Sequence, residues 1–448
     1  MKSGVKVVSV LSEARSGAAE PAQEQPAARG SRVLFLVADD WYFVSHRLAW
    51  AQELVRRGCT VGVGCATHAD ASRIEEAGVQ VLPIPFERHS LSPLVVLRAC
   101  LAVRRAVGAF RPDLVHLVAL RAILIGWMAT IGLRRPAFVN AVAGLGSLFS
   151  GTTDFMDGGA ARRGSTEGTK VNQEKMGTVS PSSPSLPSVR ARSRLWWARQ
   201  VVRALFTRVF KQPTAHTVFQ NQEDLESFVR RGLCPAERAH LVRGVGVDPE
   251  SWQPRPEVLE DAPVVLFVGR MLRDKGLGEL LEASDLLRKR GIYHVLRLAG
   301  DVDLSNPMSY RREELYAWAQ AGKVDWFGYH HDVLEQMSLA QVVALPSYRE
   351  GLPKVLLEAG LAERAVVTTD VAGCREVVRD RESGLLVPPR DHVALADALE
   401  LLLKNSGLRR RLAAALRERV RTEFSQMLVQ KSMARVYQAA LGFQNLTW

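Results

Sequence analysis

Val264-Val265-Leu266-Phe267-Val268 is an unbroken apolar run that stops at Gly269-Arg270 and gives way to Asp274-Lys275-Gly276, then to a helical spacing of apolar residues. A short run without polar alternation reads as a strand buried on both faces, as in a parallel sheet, with a loop at its carboxyl end and a helix beyond. In open α/β sheets ligands sit in the crevice outside those carboxyl ends, so two cations placed there are positioned to meet a diphosphate. Arg270 offers a planar fork to phosphate oxygens and Lys275 a mobile point charge. Solvated loop charges are the alternative reading of the same pair.

Further along, Gln341-Val342-Val343-Ala344-Leu345 is a second apolar strand, followed by the loop Pro346-Ser347-Tyr348-Arg349-Glu350-Gly351-Leu352. Pro353 then suits the first turn of a helix, where its missing N–H costs nothing. Amides at a helix start face an anion, a favourable place for a pyrophosphate. Glu350 precedes this helix and Glu358 lies within it, so the two carboxylates stand at different depths of one pocket, suited to sugar hydroxyls and to a ribose diol. A capping acid plus an exposed helix acid would explain the same spacing.

Strand and helix patterns alternate along the whole chain. Strands are expected over 33–38, 60–65, 79–84 and 113–118, with helices over 45–57 and 93–110, which argues for an α/β fold with parallel sheets covered on both faces. Gln253-Pro254-Arg255-Pro256 through Ala262-Pro263 is polar and proline-rich, and the pattern restarts after it, so the interdomain linker is placed there. A chain of 448 residues exceeds one typical domain, and 47% apolar with 24% charged residues is ordinary for a soluble globular protein. The five cysteines lack paired metal spacing and read as buried free thiols in a reducing compartment.

Together the two loops resemble a known donor site. Glu350 and Glu358 within Ser347-Tyr348-Arg349-Glu350-Gly351-Leu352-Pro353-Lys354-Val355-Leu356-Leu357-Glu358-Ala359 are similar to the signature of glycosyltransferase family 4, a retaining family with the two-Rossmann GT-B fold. Ser45-His46-Arg47-Leu48, Asn140-Ala141-Val142-Ala143-Gly144-Leu145-Gly146, Phe219-Gln220-Asn221, Gly246-Val247-Asp248, Asn306-Pro307-Met308-Ser309 and Gly373-Cys374-Arg375-Glu376 resemble, in order, the branch that builds capsules, exopolysaccharides and O-antigens on lipid carriers. The resemblance implies that Arg270 and Lys275 bind the donor diphosphate, Glu358 the ribose and Glu350 the transferred sugar, with the amides of Gly351 and Leu352 assisting at the phosphate. It also implies an acceptor domain carrying His46, Arg47, Arg121, Gly144 and Gly146, and a final helix, from about residue 424, that crosses back onto the first domain.

The chain departs from the family in places. The glycine pair common in the first strand–helix loop is replaced by Ala38-Asp39-Asp40-Trp41-Tyr42-Phe43, and of a His-x-His pattern only His116 remains, with Val118 in the second place. His116 is therefore expected either in the site or as a satisfied histidine within a strand. Asp301-Val302-Asp303 spells the metal-binding motif of a different glycosyltransferase fold but reads as a turn, so no metal is expected.

Residues 1–30 and about 150–190 are compositionally suited to disorder, the second as an insertion in the first domain near the acceptor entrance, either a flap or a neutral surface insertion. No signal peptide is read in the short apolar stretch 5–11. The apolar segment 114–133 is broken by His116 and Arg121 and reads as strand then helix, so no membrane span is expected. A net charge of +12 fits nucleic acid, anionic lipid or an anionic substrate. Between Arg190 and Lys211 basic residues without acidic ones interleave with Leu195, Trp196, Trp197, Val202, Phe206 and Val209, the profile of an amphipathic helix on an anionic membrane, or of a Rossmann helix whose apolar stripe packs inward. No nucleic-acid motif accompanies the charge.

The expected organisation is an N-terminal extension (1–30), an acceptor domain (31–252), a donor domain (260–423) and a crossing helix (424–448). The expected protein is a metal-independent retaining glycosyltransferase, cytoplasmic and peripheral to the inner face of the plasma membrane, moving a hexose or N-acetylhexosamine from a nucleotide sugar, a UDP-sugar first, to a polyprenyl-diphosphate-linked saccharide. A non-catalytic GT-B protein of a polysaccharide assembly complex is the alternative.

Overall fold

The computed structural model describes residues 30–87, 92–133, 136–143, 203–257, 262–330 and 332–442. The amino-terminal half runs β1 (Arg32–Asp39), α1 (Asp40–His46), α2 (Leu48–Arg56), β2 (Thr60–Ala66), α3 (Ala71–Glu76), β3 (Gln80–Pro83), α4 (Pro93–Phe110), β4 (Leu114–Val118), α5 (Ala119–Ala129), β5 (Ala137–Val142), α6 (203–210), β6 (Ala215–Phe219), α7 (Gln222–Arg230) and β7 (Ala239–Leu241). The other half runs β8 (Val264–Val268), α8 (Leu277–Lys289), β9 (Val295–Ala299), α9 (Arg312–Gln320), β10 (Asp325–Trp326), α10 (Val333–Ser338), β11 (Val342–Leu345), α11 (Lys354–Leu361), β12 (Ala365–Thr369), α12 (Ala372–Val377), β13 (Leu385–Val387), α13 (His392–Lys404), α14 (Ser406–Glu423) and α15 (Gln426–Leu441).

Two all-parallel sheets result, in the orders β3-β2-β1-β4-β5-β6-β7 and β10-β9-β8-β11-β12-β13. The apolar runs of the strands are continuous because both faces are covered. In β1, Val33, Phe35 and Val37 enter a core shared with α2 and α15, while Leu34 and Leu36 enter a second core with α4, α5 and α6. Pro93 opens α4 in its first turn, where proline is preorganised for a helix.

One helix expected over 45–57 is two. β1 passes directly into α1, and Arg47 leaves helical geometry at φ −133°, so α2 starts afresh at Leu48 with the Arg47 guanidinium tucked inside the protein. The Asp40 carboxylate accepts from the amides of Trp41, His68 and Asp70, which turns the stretch anticipated as a loop into the start of a helix. Pro353 stands one place earlier than anticipated, as the cap of α11.

The last helix, α15, lies on the first sheet, with Val429, Met433 and Tyr437 in its core. The crossing is pinned where the Gln426 amide donates to the Val247 carbonyl (2.8 Å) and the Val247 amide to that of Phe424 (3.1 Å). Gly246 makes this passage possible: its φ is +70°, and a Cβ there would stand 2.7 Å from the Gln426 Cα. Cys65, Cys234 and Cys374 are buried free thiols; Cys59 and Cys100, expected to be buried, are only half so, because each sits at the rim of its core.

Candidate active site

The loops after β8 and β11 meet because their strands are neighbours in the sheet. The Tyr348 amide donates to the Asp274 carbonyl at 2.9 Å, and the Thr369 hydroxyl donates to the Ser347 carbonyl from below. Lys275 ends a tight turn, Arg273–Lys275, and its Nζ lies 2.5 Å from Glu350 Oε1, with both side chains mostly buried. Arg270 leaves β8 on the same edge and pairs with Asp303 at 2.7 Å while remaining substantially exposed. A cation already held by a flanking carboxylate keeps its position and still has donors to offer an anion.

Glu358 sits on α11 with Lys354 at 2.9 Å, one turn before it. Both line a cavity of about 260 Å³ between the two sheets' domains, whose other wall includes His46, Arg47, Gly246 and Gln430. Of the four residues expected on the donor side, Glu358 lines the cavity, and Arg270, Lys275 and Glu350 stand outside it on their loops. His46 is stacked flat on Tyr42 with centroids 4.1 Å apart, which sets its ring at the cavity wall.

The first domain also touches the loop after β11 directly. Asn221 caps α7 by accepting from the Asp224 amide (2.8 Å) and donates its Nδ2 to the Gly351 carbonyl (2.8 Å). Next to it Glu376 accepts from the Gln222 amide (3.2 Å) and from Arg243 Nε (2.6 Å). Asn221 and Glu376 lie within the motifs Phe219-Gln220-Asn221 and Gly373-Cys374-Arg375-Glu376, while Gln222 and Arg243 lie in neither, and nothing in their spacing indicates that they come together beside Gly351.

Other expected site residues lie elsewhere. His116 is fully buried in β4, stacked on Phe35 at 5.0 Å, and its Nδ1 is 2.8 Å from the Tyr437 hydroxyl of α15. Its expected catalytic role is corrected to a structural one: a ring sealed between a strand and a helix seats α15 and cannot touch substrate. Arg121 lies half-buried at the start of α5 and does not line the cavity; burial lowers its pKa, and Glu87 offsets part of that. Gly144, Gly146, the 150–190 insertion and residues 190–202 of the basic segment lie outside the described residues. In the part of that segment that is described, Phe206 and Val209 pack inward, while Arg208 and Lys211 are exposed together with Ala204. Asp301 and Asp303 are each held by an arginine, Arg312 and Arg270.

Burial, and next the nearby Arg47 charge, keep the His116 imidazole neutral well below its ordinary range, and burial brings His240 down to about 4. Unfolded histidines protonate below about pH 6.5 whereas these do not, so on acidification the unfolded state binds more protons and stability falls. Thermal midpoints are expected to drop from about pH 6.5 downward, His240 contributing as far as about pH 4. His116→Leu and His240→Gln should each flatten that slope; slopes equal to wild type would remove these histidines as its source.

Two parallel sheets, each covered by helices, with a cavity between them that Glu358 lines, are the arrangement of the GT-B class. The profile described as Glycosyl transferase 4-like domain matches residues 44–254, and that described as Glycosyl transferases group 1 matches residues 248–419. The N,N'-diacetylbacillosaminyl-diphospho-undecaprenol alpha-1,3-N-acetylgalactosaminyltransferase of Campylobacter jejuni is 25% identical over 354 residues, 76% of this chain and 81% of that one. The capsular polysaccharide biosynthesis glycosyltransferase CapM of Staphylococcus aureus is 28% identical over 185 residues, 41% of this chain and 48% of its own length. Anabaena HepE, solved in complex with UDP-glucose, superposes with a TM-score of 0.65 over 91% of this chain and 99% of its own, at 17% identity, a likeness of fold. The chain belongs to the glycosyltransferases that join a 4-like amino-terminal domain to a group 1 carboxyl-terminal domain, as its resemblance to family 4 implies. It is a GT-B glycosyltransferase.

Proposed function

We propose that this enzyme transfers a hexose or N-acetylhexosamine, with retention, from a UDP-sugar to a polyprenyl-diphosphate-linked saccharide during assembly of a bacterial surface polysaccharide, at the inner face of the plasma membrane. The observation that carries the reading is the Lys275–Glu350 pair at 2.5 Å, set on a loop that runs into the amino end of α11, with Glu358 in the interdomain cavity. The donor class is supported by the UDP-glucose complex of HepE, and the acceptor class by the diphospho-undecaprenol named for the Campylobacter relative.

Charge develops on the departing diphosphate, so Arg270, Lys275 and the α11 amides act more strongly on the transition state than on the ground state. Glu350 holds Lys275 and accepts from hydroxyls of the transferred sugar. Glu358 accepts from the ribose diol once its contact with Lys354 opens toward the cavity. The acceptor hydroxyl attacks the anomeric carbon from the face that the diphosphate leaves, the leaving oxygen takes its proton, and nucleoside diphosphate is released. Closing the cleft excludes water as a competing acceptor.

A screen of nucleotide sugars for protection against thermal unfolding tests the reading, since a specific ligand stabilises by mass action. UDP and one UDP-sugar are expected to raise the midpoint. Glu358→Gln should weaken UDP binding by about 10- to 100-fold, the loss of hydrogen bonds to a charged acceptor, while barely changing stability, because Lys354 is then solvated. Full UDP affinity in that variant would remove Glu358 from the ribose site. Binding without transfer to any lipid-linked acceptor would leave a non-catalytic assembly protein.

A further inference from the structure

We infer that the outer face of α4 docks the enzyme onto an anionic lipid bilayer. Leu94, Leu97 and Leu101 are 69%, 54% and 45% exposed, three leucines on one side of one helix, and Ile131 adds a fourth apolar side chain at 48%. Isolated surface leucines need no explanation, but a stripe repeated at helical spacing does. Arg104 joins these features, donating from Nη1 to the carbonyls of Ala129 and Ile131. Arg98, Arg104 and Arg105 are exposed on α4, and the helix contains no acidic residue.

Charge complementarity selects the occupant. A basic rim around an apolar stripe matches anionic headgroups above acyl chains, in the manner of an interfacial helix. A second copy of the chain placed across a two-fold axis would set arginine against arginine. No helix among the described residues is long and apolar enough to cross a membrane, so contact through this face is peripheral. The layer extends the basic surface: α4, α5 and α6 cover the same face of the first sheet, and on α6 and just beyond it Arg208 and Lys211 are exposed.

The placement serves the site. β3 ends at Pro83 and α4 begins at Pro93, so the Leu94 end of α4 lies at the carboxyl edge of the sheet, the edge that opens on the cleft. The stripe from Leu94 to Leu101 occupies about 10 Å of that end. Inserting it would bring the cleft mouth to the headgroup level, where a lipid-linked acceptor presents its saccharide. That purpose rests on the acceptor reading above; the docking itself does not.

Flotation of the full chain with vesicles tests the inference without donor or acceptor. Wild type is expected to float with vesicles of phosphatidylethanolamine and phosphatidylglycerol and to stay behind with pure phosphatidylcholine. Leu94→Gln combined with Leu97→Gln and Leu101→Gln should lower partitioning at least about tenfold, and Arg98→Glu with Arg105→Glu by a similar factor. Both variants should keep the wild-type thermal midpoint, since the altered side chains are exposed. Partitioning of the leucine variant equal to wild type, or a wild type that never floats, overturns the proposal. So does a wild-type dimer that the leucine variant turns into a monomer, which would assign the face to a second copy. A protein that floats but transfers no sugar sinks the transfer reading and leaves docking intact.

Discussion

Lys275→Ala is expected to lower kcat for sugar transfer by about 10²- to 10³-fold, about 3–4 kcal/mol of transition-state stabilisation, while KM for the donor changes much less. The split follows from timing. Negative charge on the diphosphate grows as the glycosidic bond breaks, so a fixed ammonium contributes most at that moment. Arg270 does not replace the lost ammonium: Asp303 fixes it in its own place, from which it already gives its remaining donors to the diphosphate. The substitution also leaves Glu350 mostly buried without its counter-ion, which lowers stability. Adding Glu350→Gln separates the two effects: it should restore the thermal midpoint without restoring transfer. Steady-state kinetics of the single variant within about threefold of wild type would exclude Lys275 from the reaction.

Gly373→Ala should cost about 10²-fold in transfer although residue 373 brings no side chain of its own to the site. A Cβ at this position would lie 2.6 Å from the carbonyl oxygens of both Glu350 and Gly351. Neither obstacle is the end of a flexible side chain, so the donor loop itself has to retreat. Gly351 is also the residue that Asn221 grips from the first domain, so the shift loosens the contact between domains. A displacement of a few tenths of an ångström at Glu350 changes the aim of both its own carboxylate and Lys275, and misplacement on this scale is what positioning catalysis does not tolerate. Gly407→Ala is the control. In α14 its Cβ would meet only Asn405 Oδ1 at 3.5 Å, and alanine there should be neutral or stabilise by about 0.5–1 kcal/mol. Equal activity of the Gly373 and Gly407 variants would show that the donor loop is not held by this contact.

Much of the architecture is legible residue by residue. Val264 to Val268 reads as a parallel strand because both of its faces are buried, and it forms β8; the helix anticipated over 93–110 is α4. The loop residues Lys275 and Glu350 were recognisable by type and by their place after apolar strands, and they meet. Direction of packing was not legible. Leu94, Leu97 and Leu101 carry the same apolar signal as Val103 and Val107, yet the first three face outward and the last two enter the core, since only the sheet's position says which side of a helix it covers. His116 looked like a site residue because its partner, Tyr437, comes from the far end of the chain.

The amino-acid sequence alone determined the two-sheet α/β fold, the chain positions of the loops after β8 and β11 and the family to which the chain belongs, because apolar periodicity and short motifs are local properties. The tertiary structure alone decided that Glu358 shares a cavity with His46 and Arg47, that Asn221 holds Gly351, and that His116 anchors α15. Those contacts join residues more than a hundred positions apart, and which of them form depends on how whole elements pack, a choice made by burial of complete faces and not by any neighbouring residues.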